Sequence, residues 1–285
     1  MTRRLRLSVL LAISTLPVMT GAVLSPALPA LKSAFGGGAG AQTWARWALT
    51  TPALFVAIGA PLAGLVIDRT GRRPVLLASL VLFGASGSVG GLLGSLPAIT
   101  ASRAALGLAA GGLGTVSTTL IVDYYDEAQS KILGGQAAVM ALAAMIYTIL
   151  GGALTDLSWR APFGAFGIAL VLAGPAFFAL PEPDTSSPSE NAPDAPSEPP
   201  AVPWGRVGLL YSLAFLGLAV FNLIRVELPY YLRAMRVTSG LWMGVILSAG
   251  TVTGAAASFA YDRVRSRLGA WGTLALVFGV FAAGF

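Results

Sequence analysis

The chain has 285 residues, of which 55% are hydrophobic and 11% charged, with a mean hydropathy of +0.77 and a formal net charge of +6. A soluble globular domain carries about 25% charged residues, so a chain this apolar excludes a soluble fold. It holds neither cysteine nor histidine, which removes disulfides, thiol nucleophiles, imidazole acid–base chemistry and nearly all transition-metal sites. No cofactor and no metal is expected.

The apolar residues come in repeated runs of roughly 20, the length at which a helix crosses a hydrocarbon core. Barrel strands are about 10 residues long and alternate in polarity, and these runs do not alternate. The expected fold class is therefore an all-α polytopic membrane protein. Its positive charge reads as an excess of arginine in cytoplasmic loops, not as a nucleic-acid surface.

Arg3, Arg4 and Arg6 precede a first helix over 7–28. This start has the look of a signal peptide, but the long apolar run and the Ser25-Pro26-Ala27-Leu28-Pro29 ending favour a retained helix. Pro17 and Gly21 interrupt it, and Pro26 and Pro29 are expected to close it. Residues 32–46 form a first outer loop, with Trp44 and Trp47 at the membrane interface. A second helix covers 47–67.

A short loop follows, in which Asp68, Gly71 and the arginines Arg69, Arg72 and Arg73 are packed together. It is too short to join anything but antiparallel helices, and its charges fix a bilayer surface. A third helix covers 75–93 and a fourth 97–122, ending at Asp123-Tyr124-Tyr125. A fifth covers 133–154 and is dense in glycine and alanine, which lets membrane helices approach closely. Asp156 to Arg160 make the next outer loop, and a sixth helix covers 163–180.

Residues 181–203 are rich in Pro, Ser, Asp and Glu and contain no basic residue. Such a segment buries no core and reads as a disordered cytoplasmic linker. It separates a six-helix unit over 1–180 from a partial unit over 204–285. The second unit holds helices over 207–228 and 241–261, a basic loop over 262–267 and a ninth apolar run from about residue 270, which is still in progress at Phe285.

With the N-terminus inside, the inner segments hold Arg3, Arg4, Arg6, Arg69, Arg72, Arg73, Lys131, Arg206, Arg263, Arg265 and Arg267. The outer ones hold Lys32, Arg46, Arg160, Arg233 and Arg236. Eleven against five favours a cytoplasmic N-terminus and linker. A faint internal repeat accompanies this: Asp68-Arg69 closes the second helix, and Asp262-Arg263 closes the second helix after the linker. The second copy lacks a glycine at the position matching Gly71.

The run Gly64-x-x-x-Asp68-Arg69-x-Gly71-Arg72-Arg73 resembles the loop after the second helix of the major facilitator superfamily. The resemblance is drug-exporter-like and of the twelve-helix type, and it covers nearly the whole chain. It implies two six-helix halves that rock about a midplane cavity, with this chain truncated in the ninth helix and not expected to transport by itself. It also implies a gating role for Asp68: the carboxylate faces the N-terminus of a helix in the other half, the eleventh, and holds the inner gate shut. The arginine at the position of Arg72 joins a charge relay with an acid at the end of helix four, for which Asp123 is well placed; the alternative for Asp123 is a solvated loop charge. We further expect Asp68, Arg72 and Asp123 to form one network.

Arg103 lies about 9 Å into the fourth helix, where an arginine is costly unless it meets water or a partner. The segment Arg103-Ala104-Ala105-Leu106-Gly107 resembles the family's helix-four motif, in which the arginine lines the cavity and assists proton transfer; snorkelling is the alternative. Asn222, Arg225 and Glu227 in the seventh helix are either an interface anchor or a proton or substrate site. Gly151-Gly152 resembles the end of the antiporter motif of helix five, but Tyr147 and Thr148 stand where that motif has Gly-Pro. Gly111-Gly112-Leu113-Gly114 has no adjoining Gly-Lys-Ser/Thr and reads as helix packing.

The function implied is secondary active transport, with proton-coupled export of small hydrophobic molecules or drugs as the first reading. A sugar or metabolite facilitator is the alternative within the family. From other classes, a non-transporting membrane fragment or an integral membrane enzyme remains; an enzyme would need clustered acids or metal ligands, so none is expected. The partners implied are a small-molecule substrate, protons or another coupling ion, and the lipid bilayer of the cell (inner) membrane. Nucleic acid is not among them, and a monomer is expected.

Overall fold

The computed structural model describes residues 3–125, 128–182 and 204–284, and for some of these, chiefly 252–263 and scattered positions of the last two helices, only the backbone. The described residues form helices and no strand: α1 (Arg3–Ala22), α2 (Leu28–Ala34), α3 (Ala39–Thr70), α4 (Arg72–Val89), α5 (Leu96–Tyr124), α6 (Gln129–Leu157), α7 (Ala161–Gly164), α8 (Ile168–Ala179), α9 (Trp204–Ala234) and α10 (Gly240–Gly284). Six segments are long and apolar enough to cross a bilayer, from Arg3–Ala34 to Val207–Ala234. The chain is a multi-pass membrane protein.

The first helix does not stop at its prolines. A 3-10 turn over Ser25–Ala27 carries the chain from α1 into α2. Pro26 and Pro29 each occupy one of the first two positions of a new helical segment. The amide a proline lacks has no intrahelical acceptor there, so these prolines start turns instead of ending the helix. The outer loop expected over 32–46 contracts accordingly to residues 35–38. Gly36 and Gly37 take φ of +92° and +70°, and α3 begins at Ala39, so Trp44, Arg46 and Trp47 lie on a helix.

The arginine loop also contracts, to Gly71 alone, at φ 90° and ψ 173°. A side chain there would be strained in φ, and its Cβ would lie 2.7 Å from the Glu182 carboxylate. Arg72 and Arg73 are therefore the first turn of α4, not loop residues. Residues 262–267, expected as a loop, are helical, and α10 breaks only at Gly269, with φ 68° and ψ 179°. That is nearly the backbone of Gly71. The glycine missing from the second copy of the repeat stands four positions later than the match requires.

The core is centred on α5, which packs against α3, α4 and α1. Leu10, Ile13, Leu16, Leu76, Leu80, Phe83, Leu106, Leu113, Val116 and Phe166 are fully buried in it. A second cluster, with Leu24, Leu28, Leu31, Ala45, Ala48 and Phe163, closes one end of the bundle. α10 lies along α6, and α9 touches α2. Of the linker, Pro181 and Glu182 are described, and both are held by hydrogen bonds to the bundle, so the disorder expected from residue 181 does not apply to these two; residues 183–203 lie outside the described ones.

Candidate functional site: two charged mouths and a buried arginine

At one end of the bundle, α1 and α4 begin and α3, α5 and α8 finish. Arg72 Nε donates to Asp123 Oδ2 at 3.1 Å, tying α4 to α5. The Glu182 carboxylate, just past α8, accepts the backbone N–H of Arg72 at 2.6 Å and that of Arg73 at 2.8 Å. The first amides of a helix have no acceptor within it and carry positive partial charge, so a carboxylate suits that place. Arg73 Nη2 donates to the Phe177 carbonyl at 2.7 Å, and the guanidinium lies over the Phe177 ring at 4.4 Å. Tyr124 donates to the Pro181 carbonyl, and Tyr125 to the Arg3 carbonyl at 3.1 Å. The chain leaving α8 is thus strapped across this mouth.

Asp68 is exposed in the last turn of α3 and makes no hydrogen bond or ion pair with any described residue. The structure joins Arg72 to Asp123 but does not bring Asp68 into that pair. Arg69 is exposed beside it, at the negative end of the helix dipole, where a cation is favoured. A Cβ on Gly64 would meet no atom within 4 Å, so no packing among the described residues requires that glycine.

Within the bundle, Arg103 is fully buried. Its Nη2 donates to the Thr20 carbonyl at 2.6 Å, and its guanidinium lies 4.6 Å from the centre of the Phe166 ring and 5.9 Å from that of Phe163. Nε and Nη1 have no hydrogen-bond partner among the described residues. The side chain therefore does not snorkel to the surface. Nearby on α1 and α6, the Thr15 and Tyr147 hydroxyls are 2.7 Å apart, and Gln136 Nε2 donates to Ser14 Oγ at 2.8 Å. Tyr147, one of the two residues that depart from the antiporter pattern, here contacts α1.

At the opposite end, polar contacts join α9 and α10 to the earlier helices. Arg46 Nη2 and Glu227 Oε2 form an ion pair at 2.7 Å, with side chains 39% and 43% exposed. Ser25 Oγ donates to the Arg225 carbonyl at 2.7 Å. The Arg225 guanidinium is half-buried against Gly21, where a Cβ would lie 3.2 Å from Nη2. Asn222, one turn earlier on α9, is exposed. The Asp156 carboxylate accepts from Gly240 N at 2.5 Å, Leu241 N at 2.9 Å and Ser239 Oγ at 3.0 Å. Among the described residues no group of acids could hold a metal ion.

Sequence reasoning did not single out Glu182, Asp156 or Arg46. A signal existed for two of them. Glu182 follows the end of an apolar helix directly, and Ser239-Gly240 before an apolar run marks a helix start with amides to satisfy. Arg46 stays hidden because the apolar pattern starts after it and places its turn in a loop, whereas α3 begins at Ala39.

Residues 10–285 match the sequence profile of the Major Facilitator Superfamily. The chain is 28% identical over 179 residues to the uncharacterized MFS-type transporter YfiU of Bacillus subtilis, covering 61% of this chain and 33% of that protein. It is 34% identical over 157 residues to the efflux pump dotC of Dothistroma septosporum, covering 54% of this chain and 26% of that protein. It thus spans a third or less of the length of these relatives. The crystal structure of a D-xylose-proton symporter superposes with a TM-score of 0.72 at 17% identity, covering 98% of this chain and 73% of that one, a likeness of fold. With nearly its whole length matching the family profile and the facilitator fold in its helices, this chain belongs to the Major Facilitator Superfamily.

Proposed function

We propose that this chain is the first half, linker and part of the second half of a secondary transporter that exports small, mostly hydrophobic molecules in exchange for protons. The observation that carries the reading is where the charged groups stand. Charged groups cluster at the two ends of the bundle, Arg72–Asp123 within the first unit at one end and Arg46–Glu227 between the two units at the other, the places where gates that close alternately would stand. The likeness to a protein named an efflux pump supports export over import. Residues 1–180 form one rocking unit and 204–285 part of the other, joined by the linker 181–203. The arginine-rich end faces the cytoplasm of the inner membrane, as the distribution of Lys and Arg favours. The protein acts as a monomer, with no cofactor and no enzymatic step.

Asp68 is the inner-gate carboxylate in this reading. It sits at the C-terminal end of α3, where the helix dipole disfavours an anion, and no described residue offsets it. A positive helix end brought to it by the other half would offset it. When that half moves away, Arg72 can swing from Asp123 toward Asp68 and take up its charge. Arg103 assists proton movement from within the bundle.

The test is dye transport in inside-out vesicles containing the whole transporter of which this chain is part. A permanently charged lipophilic fluorescent cation, which cannot follow a pH gradient by neutral diffusion, is expected to accumulate when the lumen is made acid, and to be released when a protonophore collapses the gradient. Movement that ignores the protonophore, or movement of a sugar and not of the dye, would replace this reading.

A further inference from the structure

We propose that Asp156 is the pin of the gate opposite the arginine-rich end, a positioning residue whose carboxylate on α6 holds the N-terminus of α10 and must let go before that mouth opens. The proposal rests on the transport reading above.

Asp156 lies in the last turn of α6, where its own helix disfavours an anion. It is offset by a helix that starts 84 positions later: the carboxylate takes two backbone N–H groups and a hydroxyl from Ser239, Gly240 and Leu241. Those first amides have no acceptor inside α10. One side chain thus satisfies three donors and joins the C-terminal end of one helix to the N-terminal end of another. Such charge-assisted bonds are the stronger kind.

The backbone lets the carboxylate reach. A Cβ on Gly152 would lie 2.1 Å from the Gly240 carbonyl oxygen, and one on Gly244 would lie 2.6 Å from that of Thr148. The two helices therefore touch backbone to backbone just inside the pin. Beside it a polar pocket of about 240 Å³ is walled by Pro26, Pro29, Thr155, Asp156 and Arg233, so water has a path to the carboxylate once the helices part.

The cap is also built to be exchanged. Ser239 Oγ, which donates to Asp156, accepts from Trp242 N at 3.4 Å. That is the bond an N-cap serine makes within its own helix. When Asp156 leaves, Ser239 continues to cap α10, and the helix start does not fray. The neighbouring Arg46–Glu227 pair is a weaker candidate for the latch. Both side chains are about two-fifths exposed, and pairs in that setting contribute little.

The chain has no cysteine, so spin labels can be placed on single introduced thiols. Ala34 on α2 and Met235 beyond α9 are exposed on either side of the gate, and Thr43 and Leu157 are exposed within the earlier helices. In the 285-residue protein in lipid nanodiscs, the A34C/M235C pair is expected to give a short main distance. Asp156→Ala is expected to shift the ratio of short to long distances about tenfold toward long, the size of effect expected from losing hydrogen bonds to a charged group. Asp156→Asn, which keeps one acceptor oxygen, should fall between. Glu227→Gln should move the ratio less than about twofold. The T43C/L157C pair should not move in any variant. An unchanged A34C/M235C distribution in both Asp156 variants overturns the proposal, as does a shift by Glu227→Gln as large as that by Asp156→Ala. Should the alanine variant not fold, the asparagine variant decides. A shift in Asp156→Ala, together with a whole transporter that moves no dye, would sink the transport reading and leave the pin standing.

Discussion

Arg72 Nε stands 3.1 Å from Asp123 Oδ2, so the first residue of α4 is held to the last turn of α5. The two side chains are 23% and 20% exposed, drier than an ordinary surface pair and far from buried. A pair in that setting is expected to couple by about 0.5–1 kcal/mol. The check is a double-mutant cycle with Arg72→Ala and Asp123→Asn, read by denaturation in detergent micelles. Additive losses would show that the two charges are neighbours without being partners.

Glu182 offers a larger effect for a single change. Its carboxylate caps α4 through the amides of Arg72 and Arg73, and loss of a helix cap costs about 1 kcal/mol. For a chain of this size that is about 2–4 °C in melting temperature. Glu182→Ala is expected to show this drop, and Glu182→Gln a smaller one. Because the same residue fixes the chain leaving α8 across the mouth, proteolysis after residue 182 should also speed up in the alanine variant. A melting temperature within 1 °C of the parent would mean that water caps α4 equally well.

The order of the long apolar helices was legible because apolar runs long enough to span a bilayer leave little choice of structure. Helix ends were not, and the reasons are local. Pro26 and Pro29 read as stops because a proline breaks a helix interior, but each falls in a first turn where it breaks nothing. Residues 262–267 read as loop because of their charges, yet a helix emerging from a membrane can carry charges for further turns, and only Gly269 has the φ that ends it. The pairing of Arg72 with Asp123 was anticipated from a family resemblance joined to helix ends. Ser239-Gly240 marks a helix start with amides to satisfy, but that Asp156 satisfies them was out of reach: the contact joins residues 83 to 85 positions apart, and periodicity within one helix carries no information about which helix end lies opposite.

Gly152 tests the backbone contact between α6 and α10. A Cβ there would lie 2.1 Å from the Gly240 carbonyl oxygen, and backbone cannot move aside as a side-chain tip can. Gly152→Ala is expected to cost about 1–3 kcal/mol and to loosen α10 from the bundle. Gly134, on the same helix, has nothing within 4 Å of its would-be Cβ. Gly134→Ala should therefore be neutral or stabilising by about 0.5–1 kcal/mol. Thermal melting of the two variants side by side separates packing from helix propensity. Equal effects would remove the contact from the account.

Asp68 should behave in the opposite way, costing function without stability. It is exposed at the disfavoured end of α3 with no partner among the described residues. Asp68→Asn is expected to change stability by less than about 0.5 kcal/mol, in either direction. In the vesicle assay it is expected to abolish dye accumulation, with Asp68→Glu retaining part. A stability loss beyond 2 kcal/mol would mean that Asp68 has a folding role.

Arg103 poses the sharpest conflict between cost and retention. A guanidinium fully out of water loses several kcal/mol of hydration even after relaxation. Against that stand one charge-assisted hydrogen bond to the Thr20 carbonyl, contributing about 1.5–3 kcal/mol, and the face of Phe166, contributing up to about 2 kcal/mol. These terms roughly cancel, and two nitrogens remain unpartnered among the described residues. An apolar side chain of similar length should therefore fill the site at no net loss. Arg103→Met is expected to melt within about 2 °C of the parent, or above it, while losing proton-driven dye accumulation. Arg103→Lys keeps the charge but cannot span both the carbonyl and the ring, so it should be less stable than the methionine variant. If Arg103→Met instead melts well below the parent, the arginine holds α5 to α1 as a structural strut, and proton movement must be sought elsewhere, first at the Ser14–Gln136 and Thr15–Tyr147 contacts.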